Sequence, residues 1–129
     1  MSARDARERD LVKCEDMRLY AERAREFLGQ RSLEEFVVDE MAQAAVVHCI
    51  EVIGEAARLV SEDTRRRAPE IPWPLIIGMR NVLAHQYGTV DFERVHAVVT
   101  EQVPDLLVHL RALITSLEQE VNWREDEQA

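Results

Sequence analysis

An arginine, a histidine and a tyrosine near the middle of the chain have side chains that can act together on a phosphodiester. They are Arg80, His85 and Tyr87, in the spacing Arg-x4-His-x-Tyr. An arginine guanidinium donates two parallel hydrogen bonds to phosphate oxygens and keeps its charge. An imidazole titrates near neutral pH and can transfer protons, and a tyrosine hydroxyl can accept a covalent modification. These residue types indicate chemistry on a phosphate group.

The segment that carries them has the apolar spacing of an amphipathic helix over residues 75–86. Arg80 and His85 lie away from its apolar stripe, separated by roughly 140° and about 7.5 Å of helix rise. Asn81 lies between them. One regular helix therefore has difficulty placing both side chains on a single phosphate unless it ends or bulges there, and a second copy of the chain could supply the missing partner.

Two apolar residues, Ile77 and Ala84, lie on the same side of this helix as His85. Apolar side chains opposite the core stripe indicate a surface that is not freely solvated. We therefore predict a homodimer whose interface includes this side of the helix.

Five short segments carry a resemblance to a known family. They are Glu-Ile-Pro-Trp at 70–73, Ile-Gly-Met-Arg-Asn at 77–81, His-Gln-Tyr at 85–87, Ile-Gly-Glu-Ala at 53–56 and Val-Asp at 90–91. Together they resemble the HepT-like branch of the HEPN superfamily, over most of the chain. This context makes the match far more specific than an isolated Arg-x4-His, which often occurs by chance.

The resemblance implies a metal-independent ribonuclease toxin with RNA as substrate, no cofactor, and Arg80 and His85 as catalytic residues. In HepT-like toxins the motif tyrosine, matched here by Tyr87, is AMPylated by the minimal nucleotidyltransferase antitoxin MntA. HEPN dimers bring their motifs together across a two-fold interface, in agreement with the predicted homodimer. Many HEPN proteins instead look like non-catalytic partners of nucleotidyltransferases, and this alternative stays open.

Metal-free cleavage uses the 2′-hydroxyl of the RNA as the nucleophile and predicts 2′,3′-cyclic phosphate ends. His85 suits the proton transfers and Arg80 suits the charge of the transition state. Asn81 can donate to a non-bridging oxygen or hold the His85 ring, so we count it with the catalytic residues. Structural roles are the alternative: Arg80 paired with a glutamate, His85 bonded to a carbonyl, and Tyr87 half-buried.

The whole chain has a formal net charge of −9, which argues against non-specific nucleic-acid binding as its main role. A triple-arginine run at residues 65–67 is either a local RNA footprint or a solvated face. The acidic surface also suits an interaction module.

At 129 residues the chain is long enough for one core, so we predict a single domain over residues 1–129. No apolar run reaches the roughly 20 residues of a membrane span. The charged N-terminus lacks the apolar region of a secretory signal. Cys14 and Cys49 lie in helical apolar patterns without metal-ligand spacing. We therefore expect reduced thiols, no bound metal and a cytoplasmic location.

The apolar periodicity predicts an all-α antiparallel bundle of about four long helices with short helical turns. The first covers residues 4–28, with a charged N-terminal third that we expect to fray, and the second and central one covers residues 39–60. The third carries the motif, with Trp73 as an anchor at its start. The fourth begins after Asp91, continues beyond a kink at Pro104, and leads to a loose tail at residues 118–129.

Glu55 lies on the central helix and has two interpretations. It forms an i, i+3 pair with Arg58, which the spacing favours. It could instead support the site by orienting a catalytic residue.

Overall fold

The computed structural model describes residues 2–83 and 90–128, and of residues 80–83 and 123–128 it describes the backbone alone. This part of the chain is all-α, as predicted. None of its helices is long and apolar enough to cross a bilayer. The helices are α1 (Ala3–Leu28), α2 (Leu33–Phe36), α3 (Glu40–Leu59), α4 (Glu62–Arg65), α5 (Trp73–Leu83), α6 (Phe92–Ala97), a π-helical segment (Val98–Gln102) and α7 (Val103–Gln128).

Several helices begin where short polar side chains cap their free N–H groups. A capping box begins α2: the Ser32 hydroxyl accepts from the Glu35 amide at 3.2 Å, and the Glu35 carboxylate accepts from the Ser32 amide at 3.1 Å. Asp39 caps α3, and Asp91 caps α6 as predicted. These local signals place the helix starts.

A π-helical segment joins α6 to α7, so the chain continues as a helix on both sides of Pro104. In a regular α-helix, a proline at this position would lack its N–H and press against the carbonyl of Thr100. A π turn just before the proline has a wider backbone and accommodates it. The predicted continuation of the fourth helix past Pro104 is therefore confirmed.

The long helices form a bundle around α1 and α3, which pack against each other most extensively. Helix α5 packs on α3, and α7 packs on α1. Three sides of the bundle are closed in this way, whereas a cleft remains between α5 and α7. The largest fully buried apolar side chains of the described residues are Phe36, Met17, Leu28, Ile71, Leu107, Leu110, Leu117, Val46, Val60, Val95 and Val99.

The two ends that we expected to be loose are held in helices. Helix α7 continues to the end of the described chain, with Val121 only 8% exposed, so the predicted loose tail at residues 118–129 is wrong over the described part. Its Glu120 accepts hydrogen bonds from Arg67 at 2.6 Å and from Arg7 at 3.4 Å. Because Arg7 belongs to α1, the same contacts also hold the charged start of α1, and the expected fraying is wrong.

Candidate functional site

The predicted catalytic residues are only partly within the described structure. His85 and Tyr87 lie outside the described residues, as does Ala84. Arg80 and Asn81 are described as backbone only, in the last part of α5. The assignments of these side chains therefore stay predictions, and the structure informs them through the helix that carries them.

The start of α5 is firmly anchored. Trp73 is 5% exposed, and its indole N–H donates to the carbonyl of Ala68 at 3.1 Å. One and two turns further along, Ile76 and Met79 are buried, and α5 packs on α3. The predicted anchoring role of Trp73 is confirmed. This packing sets the direction of the helix and so places the backbone of Arg80, the residue after Met79.

Gly78, two residues before Arg80, lies on a part of α5 that no other described part of the chain approaches closely. A Cβ atom built at this position meets no heavy atom within 4 Å. Glycine in a helix interior is less favourable than alanine by about 1 kcal/mol, and nothing in the described chain requires it here. The neighbouring Ile77 is partly buried against the core. A glycine that the chain itself does not need is suited to the close approach of another molecule.

Glu55 makes the local ion pair that its spacing predicts. Its carboxylate accepts from the Arg58 guanidinium at 2.7 Å and 3.3 Å. It lines a groove with Lys13 and His48, and on the helical wheel it lies roughly 140° from Ile50, which faces the α5 side. The pair with Arg58 is confirmed, and a supporting role for Glu55 in the site stays a prediction.

The triple-arginine run does not form a free basic patch. Arg65 donates to the carbonyl of Arg58 at 2.8 Å at the end of α3, and Arg67 pairs with Glu120 at 2.6 Å. Arg66 is exposed and lies 3.5 Å from Glu62. Two of the three guanidiniums are thus engaged within the fold, which favours a structural interpretation of the run over an RNA footprint.

Two features near the motif were not found from the sequence. One is the open surface at Gly78, for which an unexplained helix-interior glycine was the available signal. The other is the cleft between α5 and α7, because local spacing does not show that Glu70 and the row Glu101, Asp105 and His109 border the same cleft. Among the described residues, no group of three or more histidine, cysteine or carboxylate side chains is arranged to hold a metal ion.

Comparison with known proteins identifies relatives over most of the chain. The model of a family described as "Ribonuclease HepT-like" matches residues 17–113. A Methanocaldococcus jannaschii protein named "Putative RNase MJ1380" is 36% identical over 63% of this chain and 74% of its own length. "Probable ribonuclease HepT" of Thermococcus cleftensis is 37% identical over 71% of this chain and 84% of its own length. No solved structure matches the chain significantly.

Proposed function

Because this chain belongs to the HepT-like ribonuclease family, we propose that it is a ribonuclease that cleaves RNA through Arg80 and His85. The observation that carries the proposal is that the family match over residues 17–113 includes the complete Arg-x4-His-x-Tyr motif. The anchored start of α5 supports it, since a firmly placed helix can hold reactive groups in a fixed geometry.

The proposed reaction needs no metal. The 2′-hydroxyl of the substrate attacks the adjacent phosphorus, its proton passes to a base, and the 5′-oxygen leaves with a proton from an acid. A 2′,3′-cyclic phosphate and a free 5′-hydroxyl result. His85 performs proton transfer, Arg80 stabilises the charge of the transition state, and Asn81 donates to a non-bridging oxygen or holds the His85 ring.

A homodimer would supply the second histidine that an acid–base pair requires. The open surface at Gly78 supports an interface on this side of α5. Ile77 supports it less than the sequence predicted, because this side chain packs partly against the core of its own chain. Close approach of a second α5 would shorten the distance between the two motifs. It would also overcome the unfavourable angle between Arg80 and His85 on a single helix.

We further propose that Tyr87 is a regulatory position in a toxin–antitoxin pair. A MntA-like nucleotidyltransferase would transfer AMP from ATP to its hydroxyl and release pyrophosphate. The added phosphate would occupy the Arg80 guanidinium and repel RNA. The chain would then act as the toxin, as a single domain over residues 1–129, on RNA in the cytoplasm.

A non-catalytic role as partner of a nucleotidyltransferase is the second candidate. The net charge of −9 favours it, because an acidic surface suits a basic protein better than it suits RNA. Because the net charge is negative, any affinity for RNA must come from individual cationic groups near the site rather than from the electrostatic field of the whole protein.

Purified protein incubated with RNA in EDTA tests the catalytic proposal. We expect cleavage with cyclic phosphate ends, and a loss of at least about 100-fold in Arg80→Ala and in His85→Ala, because each removes a transition-state contact. Arg25→Ala and His48→Ala are matched controls, since both residues are exposed on other helices. They should cleave as well as wild type.

Two results would contradict the proposal. Activity that returns only with added Mg²⁺ or Mn²⁺ would exclude the metal-free mechanism. Wild type that does not cleave RNA under any of these conditions, yet binds a nucleotidyltransferase, would favour the non-catalytic role.

A further inference from the structure

The open side of the bundle is an apolar cleft of about 320 Å³ between α5 and the π–α7 helix. Ile50 and Ile53 of α3 form its floor, Leu75 and Met79 lie on the α5 wall, and Leu106 lies on the opposite wall. Leu75 is 43% exposed although it is a large apolar residue. Apolar surface is thus exposed to solvent in the cleft, whereas on the other sides of the bundle a neighbouring helix covers it.

Acidic side chains border the cleft. On the wall formed by the π-helical segment and α7, Glu101, Asp105 and His109 are spaced four residues apart. Glu70 lies on the opposite wall, just before α5. All three carboxylate residues are exposed. The side-chain carboxylates of Glu70 and Glu101 make no hydrogen bond or ion pair with any other residue that the structure describes. The rim is therefore a pair of anionic edges on either side of an apolar strip.

The π-helical segment forms part of this wall through Val98, Glu101 and Gln102. Single π turns inside helices occur frequently at functional sites. Here the wider turn lies directly on the cleft. The wall is consequently an irregular surface, and its shape depends on the π turn as well as on side-chain identity.

We propose that this cleft docks a basic amphipathic helix of a partner protein, with apolar side chains in the cleft and lysine or arginine side chains on its flanks. An apolar strip between two helices is the geometry that receives a helix through side chains at i, i+3, i+4 and i+7. The anionic edges provide the charge complementarity and steer the encounter. None of the described residues that line the cleft belongs to the Arg-x4-His-x-Tyr motif, so the docking proposal does not depend on catalysis.

The docked helix would contact the element that carries the motif. Met79 lines the cleft and immediately precedes Arg80 in α5. Occupancy of the cleft would therefore bear on the face of α5 that carries Leu75 and Met79. A partner held there would contact α5 at the residue that precedes Arg80 in the sequence.

A designed peptide probes the cleft directly. The probe is a fluorescein-labelled amphipathic helix of about four turns, with leucines on one face and lysines on both flanks. We expect a dissociation constant of about 10–100 μM, typical of a small transient interface. In methyl-resolved NMR spectra, Ile50, Ile53 and Ile76 should shift on titration. Ile114, which is buried and does not line the cleft, should not.

Two variants separate the apolar and charged contributions. Leu75→Ser should weaken binding at least tenfold, and so should the triple variant Glu70→Gln/Glu101→Gln/Asp105→Asn. The matched control neutralises three exposed carboxylates elsewhere and should bind like wild type; it is Glu26→Gln/Glu51→Gln/Glu118→Gln. Thermal unfolding of each variant checks that the fold is intact.

Three outcomes would overturn the proposal. One is equal binding of a peptide in which glutamate replaces every lysine, since the charge complementarity would then play no part. Another is a titration in which the methyl groups that line the cleft do not shift. The third is a homodimer that dissociates on Leu75→Ser in sedimentation, because a second copy of the chain would then be the occupant.

Discussion

The carboxylate of Asp10 accepts a hydrogen bond from the backbone amide of Ser61 at 2.9 Å, across 51 residues of sequence. Its second oxygen accepts from the Ser61 hydroxyl at 2.6 Å and from the Thr64 hydroxyl. Asp10 is 3% exposed and Thr64 is fully buried. Ser61 is also the N-cap of α4. One side chain of α1 thus holds the turn after α3, from which the chain leads to α5.

Removal of this carboxylate should destabilise the whole domain. We expect Asp10→Ala to lower the free energy of unfolding by about 2–4 kcal/mol, because the buried Thr64 hydroxyl and the half-buried donors of Ser61 lose their acceptor. Urea denaturation measures the change. Asp16→Ala is the control, since its carboxylate lies 3.9 Å from Lys13 at the surface and should matter by less than about 1 kcal/mol. Equal effects of the two substitutions would contradict the assignment.

The two cysteines should be unreactive in the folded protein. Burial is the main reason that the pKa of Cys14 is raised to about 12 and that of Cys49 to about 11, from 9.0. Alkylation at pH 8 should therefore be slow in buffer and fast in urea, because the thiolate is the nucleophile. Rapid labelling of the native protein would show that one of the thiols is accessible.

The same shifts give a pH dependence of stability. A folded-state pKa above the unfolded value stabilises the fold fully below pH 9.0, and this contribution is lost as the pH rises towards about 11 for Cys49 and about 12 for Cys14. Wild type should therefore lose stability in this window more steeply than Cys14→Ala/Cys49→Ala. Parallel profiles of the two proteins in urea denaturation would argue against it.

Gly78→Ala should separate folding from assembly. The substitution meets no atom of the chain and improves helix propensity, so the monomer should gain about 0.5–1 kcal/mol. If a second α5 approaches here, the added methyl group should weaken dimerisation in sedimentation and reduce RNA cleavage. Thr115→Ala, on an exposed part of α7, should leave both unchanged. A Gly78→Ala protein with wild-type dimerisation would remove this surface from the interface.

Tyr87 should be regulatory rather than catalytic. Phenols in general lose their proton only near pH 10 and are poorer bases at neutral pH than imidazoles. Tyr87→Phe should keep most RNA cleavage and lose control by a nucleotidyltransferase, whereas Arg80→Ala should lose cleavage and remain modifiable. Intact-protein mass after incubation with the partner and ATP measures the modification. A Tyr87→Phe protein that still gains AMP mass and is still silenced would refute the assignment.

Local signals predicted many of the elements near the site. The capping box at Ser32 and the N-cap at Asp91 each involve residues within one turn of each other, so the pattern in the chain is sufficient. The anchoring role of Trp73 and the Glu55–Arg58 pair also follow from short spacings. The family resemblance rests on the same kind of information, because its motifs are short segments of contiguous sequence.

Contacts between distant residues escaped prediction. We expected the charged start of α1 to fray because no partner for Arg7 or Asp10 is visible nearby in the sequence. Their partners lie far along the chain, on α4 and α7. We expected the polar tail to be loose because no nearby residue pairs with Glu120. Its partner Arg67 lies 53 residues earlier in the sequence. In each case a charged residue that is unremarkable in its own helix becomes structural through a partner that local spacing does not reveal.

The sequence by itself determined the all-α class, the helix starts and the family, since propensity, capping and motif identity act over a few residues. Only the tertiary structure decided which helix faces are covered. Helices α5 and α7 both pack against the central pair, yet the cleft between them stays open. The periodicity of an apolar stripe predicts that one face of a helix is buried. Which neighbour buries it depends on packing across the whole chain.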